Sequence, residues 1–482
     1  MAGTEWISAA EAASRLGIKQ ATLYSYVSRG VLTRRRAAGA GGGAAGGAAG
    51  GGGGGRGGGK GSWFDPGEVE ELARRGRPRR PPGLAALVIE SGVTEISSER
   101  LWFRGLDALD LARDWDFEDV CDLLWLGQAR RPSPVRTGRT STEEPGTGET
   151  GPGEWQATPA AIAVGTAAQA ALPPGTFPLE RLQVIVPALA AADPLRLQFD
   201  PPAVAAAGRA IIAGLVGCLP PAGPAPGRPA GPPGRPAGAP PGPPAGAPAG
   251  SGPQPAGGIP ARLWPRLCPD DPPPALLDAL RAALVLLADH ELAASTLAAR
   301  VAASVRADPY AVVATGLGAV GGALHGGASL GAETMLAAAQ DAAGAPRVVG
   351  ELLRRGERVP GFGHFVYRDG DPRAGLLLAM VRSAVPASPR LAVVDAVLAE
   401  MHRRSLPEPN IDFALAVLAT CAGMIRGAGE VIFAVARTAG WLAHALEEYT
   451  ARTPLRPRAV YTGPARWQAD PGQRESPGSP HD

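Results

Sequence analysis

The chain has 482 residues, room for two or more domains or one large domain with an appendage. Hydrophobic residues make up 45% and aromatics only 5%, so the core must be mostly Ala, Leu and Val, which favours close-packed helices over an aromatic-rich β-sandwich. Lys+Arg (47) and Asp+Glu (45) nearly cancel, so no global charge argues for a polyanionic partner.

In chain order, the opening residues lack the apolar core of a signal peptide. "WISAAEAASRLGIKQATLYSYVSRGVLTRRR" (Trp6 to Arg36) then splits into two short helices. The first is expected over Ala9 to Leu16, with Gly17 as the turn and Ile18 as an apolar plug. The second is expected over Gln20 to Arg29, with Leu23 and Val27 facing inward and Gly30 ending it. This is a helix-turn-helix layout, in which the second helix presents Lys19, Gln20, Thr22, Ser25 and Arg29 to DNA. Arg34, Arg35 and Arg36 follow as a phosphate-contacting cluster. The stretch resembles the N-terminal half of a MerR-type winged helix, and "SWFDPGEVEELARRG" (Ser62 to Gly76) resembles the strand and helix after its wing. A glycine tract (37–61) stands where the wing would turn, a departure that puts wing contacts with DNA in doubt. The alternative reading of the same hairpin is a protein-docking module, and specific DNA binding through residues 1–80 needs a dimer.

Three further segments read as low complexity: the glycine tract 37–61, a polar insert over 130–155 and a Pro-rich insert over 220–258. A polar tail, 467–482, is expected to be disordered. Between them, "GLAALVIESGVTEI" and "RLWFRG" suggest a small hairpin or edge strands. "PPALLDALRAALVLLADHEL" (273–292), "DFALAVLATCAGMI" (412–425) and "GEVIFAVARTAGWLAHALEEYTAR" (429–452) carry apolar residues at helical spacing. The expectation is a mostly α main domain. No stretch reaches about 18 uninterrupted apolar residues, so no membrane span is expected and the chain reads as soluble and cytoplasmic. Four separated cysteines (Cys121, Cys218, Cys268, Cys421) suit a reducing compartment.

Three of the six histidines stand in unusual surroundings: His290 in "DHELAAST", His325 in "LHGGAS" and His364 in "PGFGHFVYRDGDPRA". A histidine beside glycines is often a cap or a satisfied turn residue. Three together can hold zinc, but no HExxH pair and no carboxylate at ligand spacing accompanies them, so no metal is expected.

Five motifs, "DHELAAST", "LHGGAS", "PGFGHFVYRDGDPRA", "PNIDFALAVL" and "FAVARTAGWLAHALEE", occur in this order, and together they resemble the citrate synthase family. The resemblance implies a two-domain, all-helical fold over about 81–466, with a small subdomain at about 332–424. It implies condensation of acetyl-CoA with oxaloacetate and water to citrate. Propionyl-CoA (2-methylcitrate formation), a DNA-binding regulator with a metabolite-sensing domain, and an inactive scaffold stay open. No cofactor is implied, the coenzyme A thioester being a substrate. By resemblance Asp412 is the base, His325 donates to the enolate oxygen and His364 to the ketone. His290, Arg373, Arg437 and Arg456 hold the dicarboxylate, with Arg456 crossing the interface of a homodimer. Arg368 meets the CoA phosphates, near the backbone of Val359, Gly361 and Gly363. Gly361 and Gly363 read as hinges of a moving loop. Ala294, Ser329 and Phe365 depart from the family's usual residues.

Overall fold

The structure, a computed structural model, describes residues 6–16, 23, 27, 32–36, 62–69, 89–97, 100–127, 155–223, 257–322, 327–367 and 370–457. They fall into two compact units, one holding residues before 90 and after 456, the other residues 90–456.

The first unit contains β1 (Ile7–Ser8), α1 (Ala9–Arg15), β2 (Arg34–Arg36) and β3 (Ser62–Phe64), in an antiparallel sheet of order β1-β3-β2. Its core is Ile7, Ala12, Ala13, Leu23, Leu32, Phe64 and Val69. The Asp65 carboxylate accepts from the Gly67 and Glu68 N–H groups, ahead of the helical residues 66–69 that follow β3. Glu68, within that helical segment, accepts from both the backbone and hydroxyl of Thr33, tying the segment to the residue before β2. Of the expected second helix only Leu23 and Val27 are described, both helical, with Leu23 buried. Lys19, Gln20, Thr22, Ser25 and Arg29 lie outside the described residues.

The second unit opens with the meander β4 (Thr94–Ser97), β5 (Arg100–Phe103) and β6 (Leu106–Asp107), so the expected edge strands form a three-stranded sheet. Leu101 and Phe103 alternate into the core. Helices follow: α2 (Ala108–Asp114), α3 (Phe117–Leu126), α4 (Pro159–Ala170), α5 (Pro178–Ala191), α6 (Pro201–Cys218), α7 (Ile259–Leu267), α8 (Pro274–Leu287), α9 (Ala294–Ser304), α10 (Pro309–Val320), α11 (Gly327–Ala338), α12 (Ala345–Arg354), α13 (Pro372–Ala384), α14 (Pro389–Arg403), α15 (Ile411–Ala422) and α16 (Ala428–Ala451). The fold is mostly helical, in line with its composition.

Two expectations need correction. The helix read over 273–292 stops at Leu287. Asp289 turns its carboxylate back onto the Glu291 N–H (3.1 Å), a local bond that competes with the helical ladder. Glu291 then takes a left-handed φ of 54°. Trp155, assigned by its polar neighbours to an insert, stacks on Trp125 at 5.8 Å and joins the core.

α6 has the length and apolarity of a bilayer span. A search for uninterrupted apolar residues passes over it because Arg209 breaks the run. Here 56% of it is buried within the fold and Arg209 pairs with Asp122 at 2.8 Å, so it is placed as a core helix.

α16 is the spine. Nearly every residue along it is buried, and α3, α5, α6, α8, α9 and α10 pack around it. A helix apolar on most sides belongs inside a large core. Small residues on its neighbours allow close approach: a Cβ at Gly316 on α10 would stand 2.5–2.8 Å from the Trp441 ring. Gly316→Ala is therefore expected to lower stability by about 1–3 kcal/mol through overpacking, read from the denaturation midpoint. An unchanged midpoint would contradict this packing.

Candidate active site

Asn410 caps α15, its side-chain oxygen accepting from the Asp412 N–H (3.0 Å). Asp371 caps α13 and accepts from the Arg373 N–H (3.1 Å). The same Asp371 carboxylate receives Nε (3.0 Å) and Nη2 (2.8 Å) of Arg373 and the Ile411 N–H (3.0 Å). One buried carboxylate thus joins the first turns of α13 and α15 and brings Arg373 beside Asp412.

The loop before α13 is sewn to the segment before α15. The Gly363 N–H donates to Glu408 O, the Asn410 N–H to Gly361 O, and Asn410 Nδ2 to Gly363 O. Gly361 (φ 81°) and Gly363 (φ 79°) are left-handed, and a Cβ on Gly361 would lie 2.8 Å from Phe413 Cβ. In this structure these glycines serve a tight turn and a close backbone approach. Val359 is buried just before them.

This scaffold presents His364 in a defined tautomer. Its Nδ1 accepts from the Val366 N–H (3.0 Å) and the Tyr367 N–H (3.3 Å), so the proton of the neutral ring sits on Nε2. Burial, with Arg373 nearby, lowers its pKa to about 4. His290, in the turn after α8, stacks edge-on to His364 at 5.2 Å, and its Nε2 lies 3.2 Å from the Tyr367 hydroxyl. Burial first, then Arg373 and Arg437, hold His290 well below the usual histidine range. Both rings are neutral at pH 7.

Arg437, midway along α16, gives Nε to Leu287 O (2.8 Å) and lies over the Phe433 ring at 4.6 Å. Among the described residues no carboxylate forms an ion pair with it, and burial lowers its pKa to about 10. Asp412 is half-buried and accepts no hydrogen bond on its carboxylate from any described residue. Burial raises its pKa to about 7, against the pull of Arg373 and Arg437.

His290, His364, Arg373, Asp412 and Arg437 line one cleft of about 480 Å3, together with Ile96, Phe433, Ala294 and Phe365, the last 97% exposed at the rim. Of the other candidates, Arg456 is exposed at the end of the second unit, and Arg34 lies in β2. His325 and Arg368 lie outside the described residues. Among the described residues no group of three His, Cys, Asp or Glu stands together as a metal site. The cleft offers two guanidinium groups for carboxylates, a neutral N–H for an oxygen that gains charge, and an unpaired carboxyl poised near neutrality. Sequence reasoning missed Asp371, Tyr367 and Asn410. Asp371 and Asn410 had a signal, each standing at a cap position before a helix.

Residues 83–458 match the family profile described as Citrate synthase, C-terminal domain. The chain belongs to the citrate synthase family. Citrate synthase 2 of Bacillus subtilis is 39% identical over 202 residues, 40% of this chain and 53% of that protein. The 2-methylcitrate synthase of Mycobacterium tuberculosis is 34% identical over 195 residues, 40% of this chain and 50% of that protein. The chain thus spans about half the length of the curated relatives it matches. In fold it is similar to the Thermotoga maritima citrate synthase (TM-score 0.55, 20% identity, covering 82% of this chain and 98% of that one). It is also similar to the Thermoplasma acidophilum citrate synthase solved with carboxymethyl coenzyme A and oxaloacetate (TM-score 0.59, 22% identity, covering 81% and 97%).

The raised pKa of Asp412 has a cost. The folded protein holds this proton more tightly than the unfolded chain, so the group's contribution is fully present below about pH 4, is lost as pH rises towards about 7, and stays lost above it. Asp412→Asn is expected to raise the melting temperature at pH 8 by a few degrees. The gain fades as pH falls towards about 4, where the unfolded carboxyl is protonated too. Paired melts at pH 8 and pH 4 read it, and a loss at pH 8 would contradict the assignment.

Proposed function

We propose that the chain is an acyl-CoA-condensing enzyme that joins acetyl-CoA to oxaloacetate with water, giving citrate and CoA. The observation that carries the reading is Asp412: an unpaired carboxyl with a pKa of about 7, in the same cleft as a neutral N–H donor and two buried guanidiniums. Asp412 removes the proton next to the thioester carbonyl, and His325 donates to the enolate oxygen so formed. The nucleophilic carbon attacks the ketone carbon of oxaloacetate, and the ketone oxygen takes its charge against the Nε2–H of His364. Arg373, Arg437 and His290 hold the two carboxylates. Water then cleaves the citryl thioester, releasing the CoA thiol and leaving the third carboxylate.

In this reading Arg368 meets the CoA phosphates near the Val359–Gly363 backbone. Arg456 completes the site of a partner in a cytoplasmic homodimer, and no cofactor beyond the CoA thioester is needed. Propionyl-CoA is the alternative acyl donor, supported by the likeness to a 2-methylcitrate synthase. The test is thiol release from acetyl-CoA or propionyl-CoA in the presence of oxaloacetate. Turnover with one of them is expected, lost on Asp412→Asn while oxaloacetate still binds. The rate should rise with pH through an apparent pKa near 7, as Asp412 loses its proton. Silence with both thioesters would overturn the proposal.

We also propose that the first unit contacts nucleic acid. Its support is the strand Arg34–Arg36, whose Arg35 is exposed and stacks over Trp6 at 4.9 Å. Retention on DNA is expected to be salt-dependent and lost on removing residues 1–80. Equal retention of the truncated protein would end this reading.

A further inference from the structure

α16 carries a polar stripe of which the condensation reading uses only Arg437. Arg437, Gly440, His444 and Glu447 recur at helical spacing and share one face. Each meets the turn that carries His290, or a residue behind it. Arg437 Nε reaches Leu287 O (2.8 Å), and the Gly440 N–H reaches Ala288 O (2.9 Å). His444 Nε2 stands 3.2 Å from Asp289 Oδ2. Gly440 cannot carry a Cβ, because Asp289 Oδ1 and Ala288 O occupy that space.

Asp289 and His444 are wholly buried. Asp289 Oδ2 also accepts from Thr94 Oγ1 (2.5 Å) and the Glu291 N–H (3.1 Å), while Oδ1 meets no partner among the described residues. On the far side, His444 Nδ1 faces Arg300 Nη1 at 2.8 Å and Ser91 Oγ at 3.4 Å. A guanidinium only donates, so Nδ1 is the acceptor and Nε2 carries the proton given to Asp289. Arg300 is itself fixed by Glu447 (Nη1 to Oε2, 2.6 Å) and Glu448 (Nε to Oε1, 2.7 Å), and Glu447 accepts from the Gly92 N–H (2.8 Å). The chain from Glu447 and Glu448 through Arg300 and His444 ends on the residue before His290.

We propose that His444 is a positioning residue: through Asp289 it fixes the 287–291 turn, and so sets His290 and the Arg437 edge of the cleft for the keto acid. The inference rests on the condensation reading for its substrate. A buried donor to a carboxylate that orients a neighbouring contact acts through geometry alone. Its loss therefore falls on the substrate that His290 and Arg437 hold, and spares the thioester.

The test compares His444→Leu, which removes both ring nitrogens, with His444→Gln, which keeps one acceptor and one donor. His444→Leu is expected to weaken oxaloacetate, in KM and in calorimetric affinity without thioester, by about tenfold or more. The acyl-CoA KM stays within about twofold, and His444→Gln recovers most of the loss. Equal effects on both substrates, no effect on oxaloacetate, or a folded His444→Gln no better than His444→Leu would overturn the proposal. Should His444→Leu fail to fold, the near-isosteric Asp289→Asn is read by the same split between the two substrates. Wild-type protein that turns over neither thioester refutes the condensation reading, and the calorimetric comparison with oxaloacetate still decides the role of His444.

Discussion

The candidate site depends on one buried ion pair. Asp371 and Arg373 are almost completely shielded from water, and the carboxylate takes four hydrogen bonds: two from the guanidinium, one from the Arg373 backbone and one from Ile411. Burial works against the charge of Asp371, but the guanidinium beside it and these bonds hold its carboxyl below the usual range. Removing either partner of such a pair costs about 3–5 kcal/mol, because the other charge is left buried and alone. The pair also determines geometry. It joins the first turns of α13 and α15, and so sets Arg373 and Asp412 side by side in the cleft.

Against this neutralised pair, Arg437 stands out. It is equally buried, yet no described carboxylate forms an ion pair with it, and its pKa is drawn down to about 10. At neutral pH it stays charged and open to an anion. Asp412 has the opposite situation: among the described residues no donor meets its carboxyl, and burial raises it to about 7. The histidines between them are kept neutral by burial and by the two cations, and the backbone on Nδ1 of His364 directs its proton outward. Neutral donor, raised carboxyl and charged guanidinium are thus separated by environment more than by residue type.

The spine α16 links this chemistry to the core. Its apolar surface packs against many of the surrounding helices, while its polar stripe reaches the His290 turn at three consecutive residues, Leu287, Ala288 and Asp289. Core and cleft therefore share one helix. The turn ends α8 early because Asp289 bonds locally, and α16 holds the residues so released.

Much of this was legible in the sequence. The helical spacing of 412–425 and 429–452 gave α15 and α16 within a residue or a few at each end, and the small apolar composition gave a helical core. The five ordered motifs singled out His290, His364, Arg373, Asp412 and Arg437. Helix 273–292 was read too long because periodicity does not register a side chain bonding its own backbone. Trp155 was misplaced because local polarity hides a long-range stacking partner. His444 falls within the helix read over 429–452, but nothing local announces Asp289 and Arg300 on its two nitrogens. Residue types, their order and their helical phase are local properties that the sequence determined by itself. Which carboxylate is paired and which is left bare, and hence which keeps a low pKa and which becomes a base, was decided only by the tertiary structure. Those properties arise from desolvation and from neighbours brought together across the chain.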